Sequence, residues 1–249
     1  MSIKDNEKVY FGDKKVSKDF KKDGVEGIFT KVSENYDLMN DLMSLGMHRI
    51  WKKIFVDSAD IDKNHIILDL AAGTGDISKI IANKINNRTL YVCDQNKEMI
   101  KKAEERSLNE GFFNKCNFEV SSAENLPYDD NFFDHVFISF GFRNFSDKNK
   151  SLLEIKRILK KGGTIQILEF SKTEGDLFSK IYDAYSKNII PKLGELISND
   201  KGSYDYLIKS IKTHESQKQI LAMMDDCEFK EITYKNLFKG VVAIHKAKK

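Results

Sequence analysis

Five short apolar runs, IILDLA (66–71), TLYVCD (89–94), NFEVSS (117–122), DHVFISF (134–140) and TIQILEF (164–170), alternate along the chain with stretches of helical spacing. Parallel neighbours in a sheet need a crossover of about a dozen residues or more between them, which a helix supplies. The alternation therefore predicts βαβ units and a mostly parallel sheet with helices on both faces. The crossovers carry the matching pattern. ISKIIANKI places Ile77, Ile80, Ile81 and Ile85 at three-and-four spacing, one helix face packed on the sheet. NKEMIKKAEERSLNEG reads as a second helix closed by Gly111. SLLEIKRILKK reads as a third, stopped by Gly162-Gly163, with basic residues in its last turns facing the negative end of its dipole. Two further strands are expected at EITYKN and VVAIHK, joined through NLFKG, which brings the sheet to seven.

At 249 residues the chain is longer than the ~100–200 usual for one domain, so one α/β domain with an appended piece is expected. Forty-one basic against 38 acidic residues leave a net charge of +3, too weak a field to argue for nucleic acid. Cys93, Cys116 and Cys227 have neither CxxC nor metal-ligand spacing, so no disulfide framework and no metal site is expected. No stretch approaches the roughly 18 apolar residues of a membrane span, and MSIKDNEKVYFGDKKVSKDFKKDG lacks the hydrophobic centre of a signal peptide. A cytoplasmic location is the expectation.

The run IILDLA collapses directly into AGTGD, so that Gly73, Thr74 and Gly75 lie between a buried strand and a helix. Glycine there lets the chain turn and lets a ligand approach the backbone. A lone glycine pair could be an ordinary tight turn. Here Asp69 precedes it, and Asp94 follows Gly73 by 21 positions at the end of the second strand, where doubly wound folds place the carboxylate that binds a ribose. The arrangement suits a nucleoside. Ser78 stands where dinucleotide-binding folds usually have a third glycine or alanine, which counts against NAD.

D-L-A-x-G-T-G after a strand, followed by an acid-ended strand and by SAENLP, resembles the class I S-adenosylmethionine-dependent methyltransferases. FTKVSENYDLMNDLMSLGMHRIWKK (29–53), SAENLPYDDNFFD (122–134), ISFGFRNFSDK (138–148), LKKGGTIQILEFSK (159–172) and YDYLIKSIKTHESQ (204–217) are similar, more narrowly, to the ubiquinone/menaquinone biosynthesis C-methyltransferase family. Two departures are Ala72, where the family often has a further glycine, and Lys160-Lys161, where Lys-Pro is usual; neither removes a reacting group. The resemblance implies a Rossmann-like class I methyltransferase fold. Residues 1–57 would form a helical cap, and 58–249 the methyltransferase domain with a helical insertion at about 173–212. S-adenosylmethionine would be the cofactor, bound by Gly73, Thr74, Gly75, Asp94, Ser122, Ala123 and Ser139. The substrate would be a polyprenylated benzoquinol or naphthoquinol, methylated on a ring carbon. That substrate implies peripheral contact with the inner face of the membrane, with a homodimer or a quinone-synthesis complex as the alternatives for assembly.

Arg143 and Asn144 in FGFRN are the catalytic candidates. Methylating a ring carbon needs an electron-rich ring, which a phenol becomes on losing its proton, and a guanidinium that is always charged can hold the oxyanion. The competing reading of Arg143 is a surface ion pair with Asp147. Asp76, His48 and His214 are unranked candidates for the general base. In LFSKIYDAYSKNII, the residues Leu177, Phe178, Ile181, Tyr182, Tyr185, Ile189 and Ile190 form an apolar stripe, either core or, with the EGIFTKVSENYDLMNDLMS region, the wall of a tunnel for the prenyl tail. A nucleic-acid methyltransferase would show an N-P-P-Y type motif in place of SFGFRN. A cofactor-binding scaffold without activity, or an enzyme for another small aromatic substrate, is the remaining alternative.

Overall fold

The computed structural model describes residues 8–33, 36–44, 46–86, 88–172 and 201–249. The expected strands are present. β3 (Ile67–Leu70), β4 (Leu90–Asp94), β5 (Cys116–Val120), β6 (Phe133–Ser139) and β7 (Leu159–Phe170) run parallel, and β8 (Lys230–Leu237) and β9 (Val242–Lys248) complete a seven-stranded sheet. Its order is β5-β4-β3-β6-β7-β9-β8, with β9 antiparallel to both neighbours. The chain leaves β3 toward β4 on one side and returns to β6 on the other. Ligands of open α/β sheets bind at such a reversal, outside the carboxyl ends of the strands.

Helices cover both faces, because their apolar stripes need the sheet. α3 (Met47–Asp57), α4 (Asp76–Ala82) and α5 (Lys97–Asn109) lay Phe55, Ile77, Ile81 and Ala103 on one face. α6 (Lys148–Ile158) and α8 (Gln217–Asp226) lay Leu152, Ile155, Ile220 and Met224 on the other. The stripe in ISKIIANKI outlasts its helix: α4 stops at Ala82, yet Ile85 remains in the same core. α5 does close at Gly111, where the Phe112 N–H reaches the Ser107 carbonyl at 2.9 Å.

Gly162-Gly163 does not stop the third helix. The third helix ends earlier, at Ile158, and the glycine pair lies inside β7 at a shift in its register with β6. Gly162 takes φ +77°, and a Cβ on Gly163 would sit 2.9 to 3.1 Å from three backbone oxygens, so the irregular strand needs both glycines.

Before the sheet stand β1 (Val9–Phe11) and β2 (Lys14–Val16), a hairpin absent from the sequence reading, followed by α1 (Lys18–Val32) and α2 (Tyr36–Ser44). α1, α2 and α7 (Lys201–Thr213) share a separate apolar cluster of Val32, Met39, Tyr204, Leu207 and Ile208, joined by Met99 of α5. The stripe expected in LFSKIYDAYSKNII lies outside the described residues.

Candidate active site

The glycine loop is held by the carboxylate that the sequence singles out. β3 ends at Leu70, and Ala71, Gly73 and Gly75 all take positive φ. The turn brings the Gly73 N–H to Asp94 Oδ2 at 2.9 Å, while Asp94 Oδ1 accepts from the Asn96 N–H at 2.9 Å. Burial pushes the Asp94 carboxyl above its ordinary range, opposed by the backbone N–H groups of Asn96, Gly73 and Gln95. Asn96 caps α5 and donates to the Glu26 carbonyl and Thr30 Oγ1, tying α1 to this end of the sheet.

A cavity of about 600 Å³ results at the carboxyl ends of β3 to β6. Gly73, Asp94, Ala123, Ser139 and Asn144 line it together. Of the expected cofactor residues three do not, although Thr74 lines the recess beside it. Thr74 Oγ1 donates to Asp37 Oδ1 of α2 at 2.9 Å and also receives Arg106. Gly75 packs toward Ala103, whose Cβ would be 3.3 Å from a Cβ placed there. Ser122 Oγ is engaged with Glu124, whose other carboxylate oxygen accepts from the Ser146 and Asp147 N–H groups, and its neighbour Ser121 forms the wall instead.

A smaller recess of about 270 Å³ adjoins the loop and shares Ser139 with the main cavity. Ser139 Oγ and Asp69 Oδ1 are buried there without a hydrogen-bond partner, while Asp69 Oδ2 accepts from Ser78 Oγ at 2.6 Å. Burial lifts the Asp69 carboxyl to about 7, against the pull of Ser78 and Lys52. A buried carboxylate with one idle oxygen suits a cationic ligand.

A second cavity of about 550 Å³ lies beneath the N-terminal helices. Val32, Met39, Phe170 and Leu207 make it apolar, and His48, Arg143 and Tyr206 give it polar groups. Phe29, Tyr36 and Phe140 line both cavities, and nothing in the sequence periodicity marked them. The two cavities adjoin at these residues.

Arg143 and Asn144 follow β6 in a short 3₁₀ turn and serve different cavities. Arg143 is buried. Its Nη1 donates to Glu169 Oε1 at 2.9 Å, its backbone N–H to Glu169 Oε2 at 3.1 Å, and its guanidinium carbon stands 5.4 Å from the centre of the Phe170 ring. The alternative of a surface pair with Asp147 is corrected: Asp147 instead pairs with Lys18 at 2.7 Å. Glu169 is fully buried at the end of β7, and only tertiary contact reveals its role; it lies in LEFSK, a stretch that carried the resemblance with no role attached. Lys21 Nζ donates to the Arg143 carbonyl, and burial, then the Lys148 charge, lower its pKa to about 7. Asn144 Oδ1 accepts from the Tyr206 hydroxyl at 2.9 Å.

The three base candidates separate. Burial alone would raise the Asp76 carboxyl, but Lys52 at 2.6 Å and Arg106 outweigh it and hold it far below the ordinary range. His214, with Nδ1 2.9 Å from Glu215 Oε2, lines neither cavity. His48 lines the second. Among the described residues, no group of three or more His, Cys, Asp or Glu side chains is placed to hold a metal ion.

Comparison with known proteins bears on family and fold. Residues 14–249 match the model of the ubiE/COQ5 methyltransferase family. The chain is 40% identical over 247 residues to the ubiquinone/menaquinone biosynthesis C-methyltransferase UbiE of Erwinia tasmaniensis, covering 99% of this chain and 98% of that protein. It is 41% identical over 250 residues to the protein of the same name from Escherichia coli, with 100% of both covered. Among solved structures it is similar to a SAM-dependent methyltransferase from Aquifex aeolicus, with a TM-score of 0.63, 17% identity, and 85% of this chain and 96% of that chain covered. Haemonchus contortus phosphoethanolamine N-methyltransferase 2 in complex with S-adenosyl-L-methionine gives a TM-score of 0.60 at 16% identity, covering 80% of this chain and 52% of that one. The structural likenesses carry the fold, which is that of Rossmann-like methyltransferases.

Proposed function

The chain belongs to the ubiE/COQ5 methyltransferase family, and from that membership we propose how its residues divide the work of the site. It is an S-adenosylmethionine-dependent C-methyltransferase of ubiquinone/menaquinone biosynthesis, and its substrate is a prenylated quinol. S-adenosylmethionine, when bound, supplies an electrophilic methyl on a sulfonium. The first cavity and its recess fit that molecule: Ser139 Oγ and Asp69 Oδ1 are buried polar atoms with no partner of their own. Asp94 would accept from the ribose hydroxyls through lone pairs left over from the backbone bonds. Ala123 leaves room for a flat base, and Gly73 keeps side-chain atoms out of the turn.

The observation that carries the reading is the second cavity, apolar but for a few polar groups, set against the first across Tyr36 and Phe140. A quinol ring seated there would present a carbon toward the first cavity and an oxygen toward Arg143. Arg143, fixed by Glu169, would hold that oxygen as negative charge develops on it. Tyr206, on the wall of the same cavity and anchored by its hydroxyl on Asn144, would set the ring's orientation. Within segment 1–57, expected as the cap of the methyltransferase domain, the apolar faces of α1 and α2 would shield the tail from water. Among the described residues no helix is long and apolar enough to cross a membrane. The protein would reach a bilayer-resident quinol peripherally, as a homodimer or a part of a larger quinone-synthesis complex.

Mass spectrometry of quinones in cells lacking the protein tests this. Those cells should accumulate the quinone one methyl short, and the wild-type gene should restore the normal product. Unchanged quinones would remove the proposed substrate, and the head group that accumulates will distinguish benzoquinol from naphthoquinol.

A further inference from the structure

C-methylation of a phenol needs a proton acceptor, and of the three candidates only His48 faces the second cavity. The side chain is buried near the start of α3. Its Nε2 lies 2.8 Å from Asp41 Oδ1 of α2, so that nitrogen carries the hydrogen and donates it. Arg49 grips the same carboxylate through Nε at 2.9 Å and Nη2 at 2.6 Å, which keeps Asp41 charged and in place. An imidazole with its hydrogen on Nε2 keeps a lone pair on Nδ1. His48 Nδ1 is buried with no hydrogen-bond partner. A buried acceptor left idle is costly unless a ligand completes it, and a donor hydroxyl in the cavity would do so.

The charges around the ring are Lys52 and Arg49 on its own helix, Asp41 on α2 and Asp76 on α4, with Tyr36, Arg143 and Tyr206 on the walls of the same cavity. Burial, and then Lys52, hold the imidazole below its ordinary value, with Asp41 and Asp76 opposing. At neutral pH the ring is therefore in its basic form.

We propose that His48, oriented by Asp41, accepts the proton of the quinol hydroxyl while Arg143 holds the resulting oxyanion. The inference rests on the quinol C-methylation proposed above. The O–H bond breaks, its electron pair stays on oxygen, and the proton moves to Nδ1. Charge spreads to the ring, whose carbon bonds to the methyl as the electrons of the S–CH₃ bond leave with sulfur. The ring C–H bond then gives its pair back to the aromatic system, its proton passes to solvent, and the phenolate takes its own proton back from His48. One proton is released per turnover.

The test is single-turnover methylation of a short-tailed quinol across a pH series, for wild type, His48→Gln and Asp41→Asn, with calorimetry of S-adenosylmethionine binding alongside. The wild-type rate should fall on the acid side with an apparent pKa below the ordinary ~6.5 of histidine. His48→Gln should lose about 10²–10⁴-fold in rate, the usual contribution of a general base, and its rate should climb with pH as hydroxide takes over. Asp41→Asn should move the acid limb lower, since a carboxylate that favours the protonated ring is gone. Cofactor affinity should hold in both. A His48→Gln variant with the wild-type rate and the wild-type acid limb overturns the proposal. Should that variant fail to fold, nitrogen NMR of the wild type decides: a neutral ring protonated on Nε2 at pH 7, its Nδ1 signal moved by a short-tailed phenol, is the expected result. A ring protonated on Nδ1 contradicts it. A wild type that methylates no quinol overturns the substrate reading, and this proposal with it.

Discussion

Arg143 and Asp94 sit at opposite ends of the proposed site, so their substitutions should divide it. Asp94→Ala should weaken S-adenosylmethionine binding, because hydrogen bonds to a charged acceptor are worth ~1.5–3 kcal/mol. Arg143→Ala should leave that affinity nearly intact and lower turnover by about 10²–10³, the range for loss of an oxyanion donor. The alanine variant strands a fully buried Glu169, and an uncompensated buried charge destabilises by about 3–5 kcal/mol. Pairing it with Glu169→Gln removes that charge, and the turnover loss should persist when stability returns. Arg143→Lys keeps the charge but loses the planar fork, and it should fall between wild type and alanine. Calorimetry and single-turnover rates read both halves. A loss confined to cofactor binding in the Arg143 variants would move the arginine to the other half of the site.

The elements that make the site were legible in unequal measure. β3 to β7 announced themselves by β-branched runs, and the loop after β3 by its glycines and by Asp94. Local pattern did not show which serine after β5 faces inward; the engagement of Ser122 with Glu124 decides that for Ser121. Nor did it show the hairpin β1 and β2, whose strands are three residues each. Glu169, Tyr36 and Phe140 gain their roles only when β7, α2 and the end of β6 meet. One close approach of elements gives a prediction at this scale. A Cβ on Gly141, just past β6, would lie 2.6 Å from the Cβ of Ala71, just past β3, and neither atom can swing away. Gly141→Ala should therefore push apart two loops that wall the first cavity, at a stability cost of about 1–3 kcal/mol. A lower melting temperature together with weaker cofactor binding is the expected result. An unchanged affinity would show that the loops yield without moving the site.

At the scale of the whole molecule, the reversal between β4 and β6 sets the first cavity at the carboxyl ends of the strands, and the cluster of α1, α2 and α7 adjoins the second. The sequence resolved the first because βαβ units repeat a local rule. For the second, the expectation of a cap came from the resemblance and not from local pattern, since a cap is assembled from distant segments, 204–208 packing with 32–39. We propose that a methyl passes from the first cavity to a ring carbon in the second, where the two adjoin at Tyr36 and Phe140. Purified protein given S-adenosylmethionine labelled with ¹³C in its methyl, and a short-tailed quinol lacking one ring methyl, tests it most directly. Carbon NMR of the product should show the label as a methyl on an aromatic carbon, formed in step with demethylated cofactor. Label on a quinol oxygen, or no label on the quinol at all, would contradict the account.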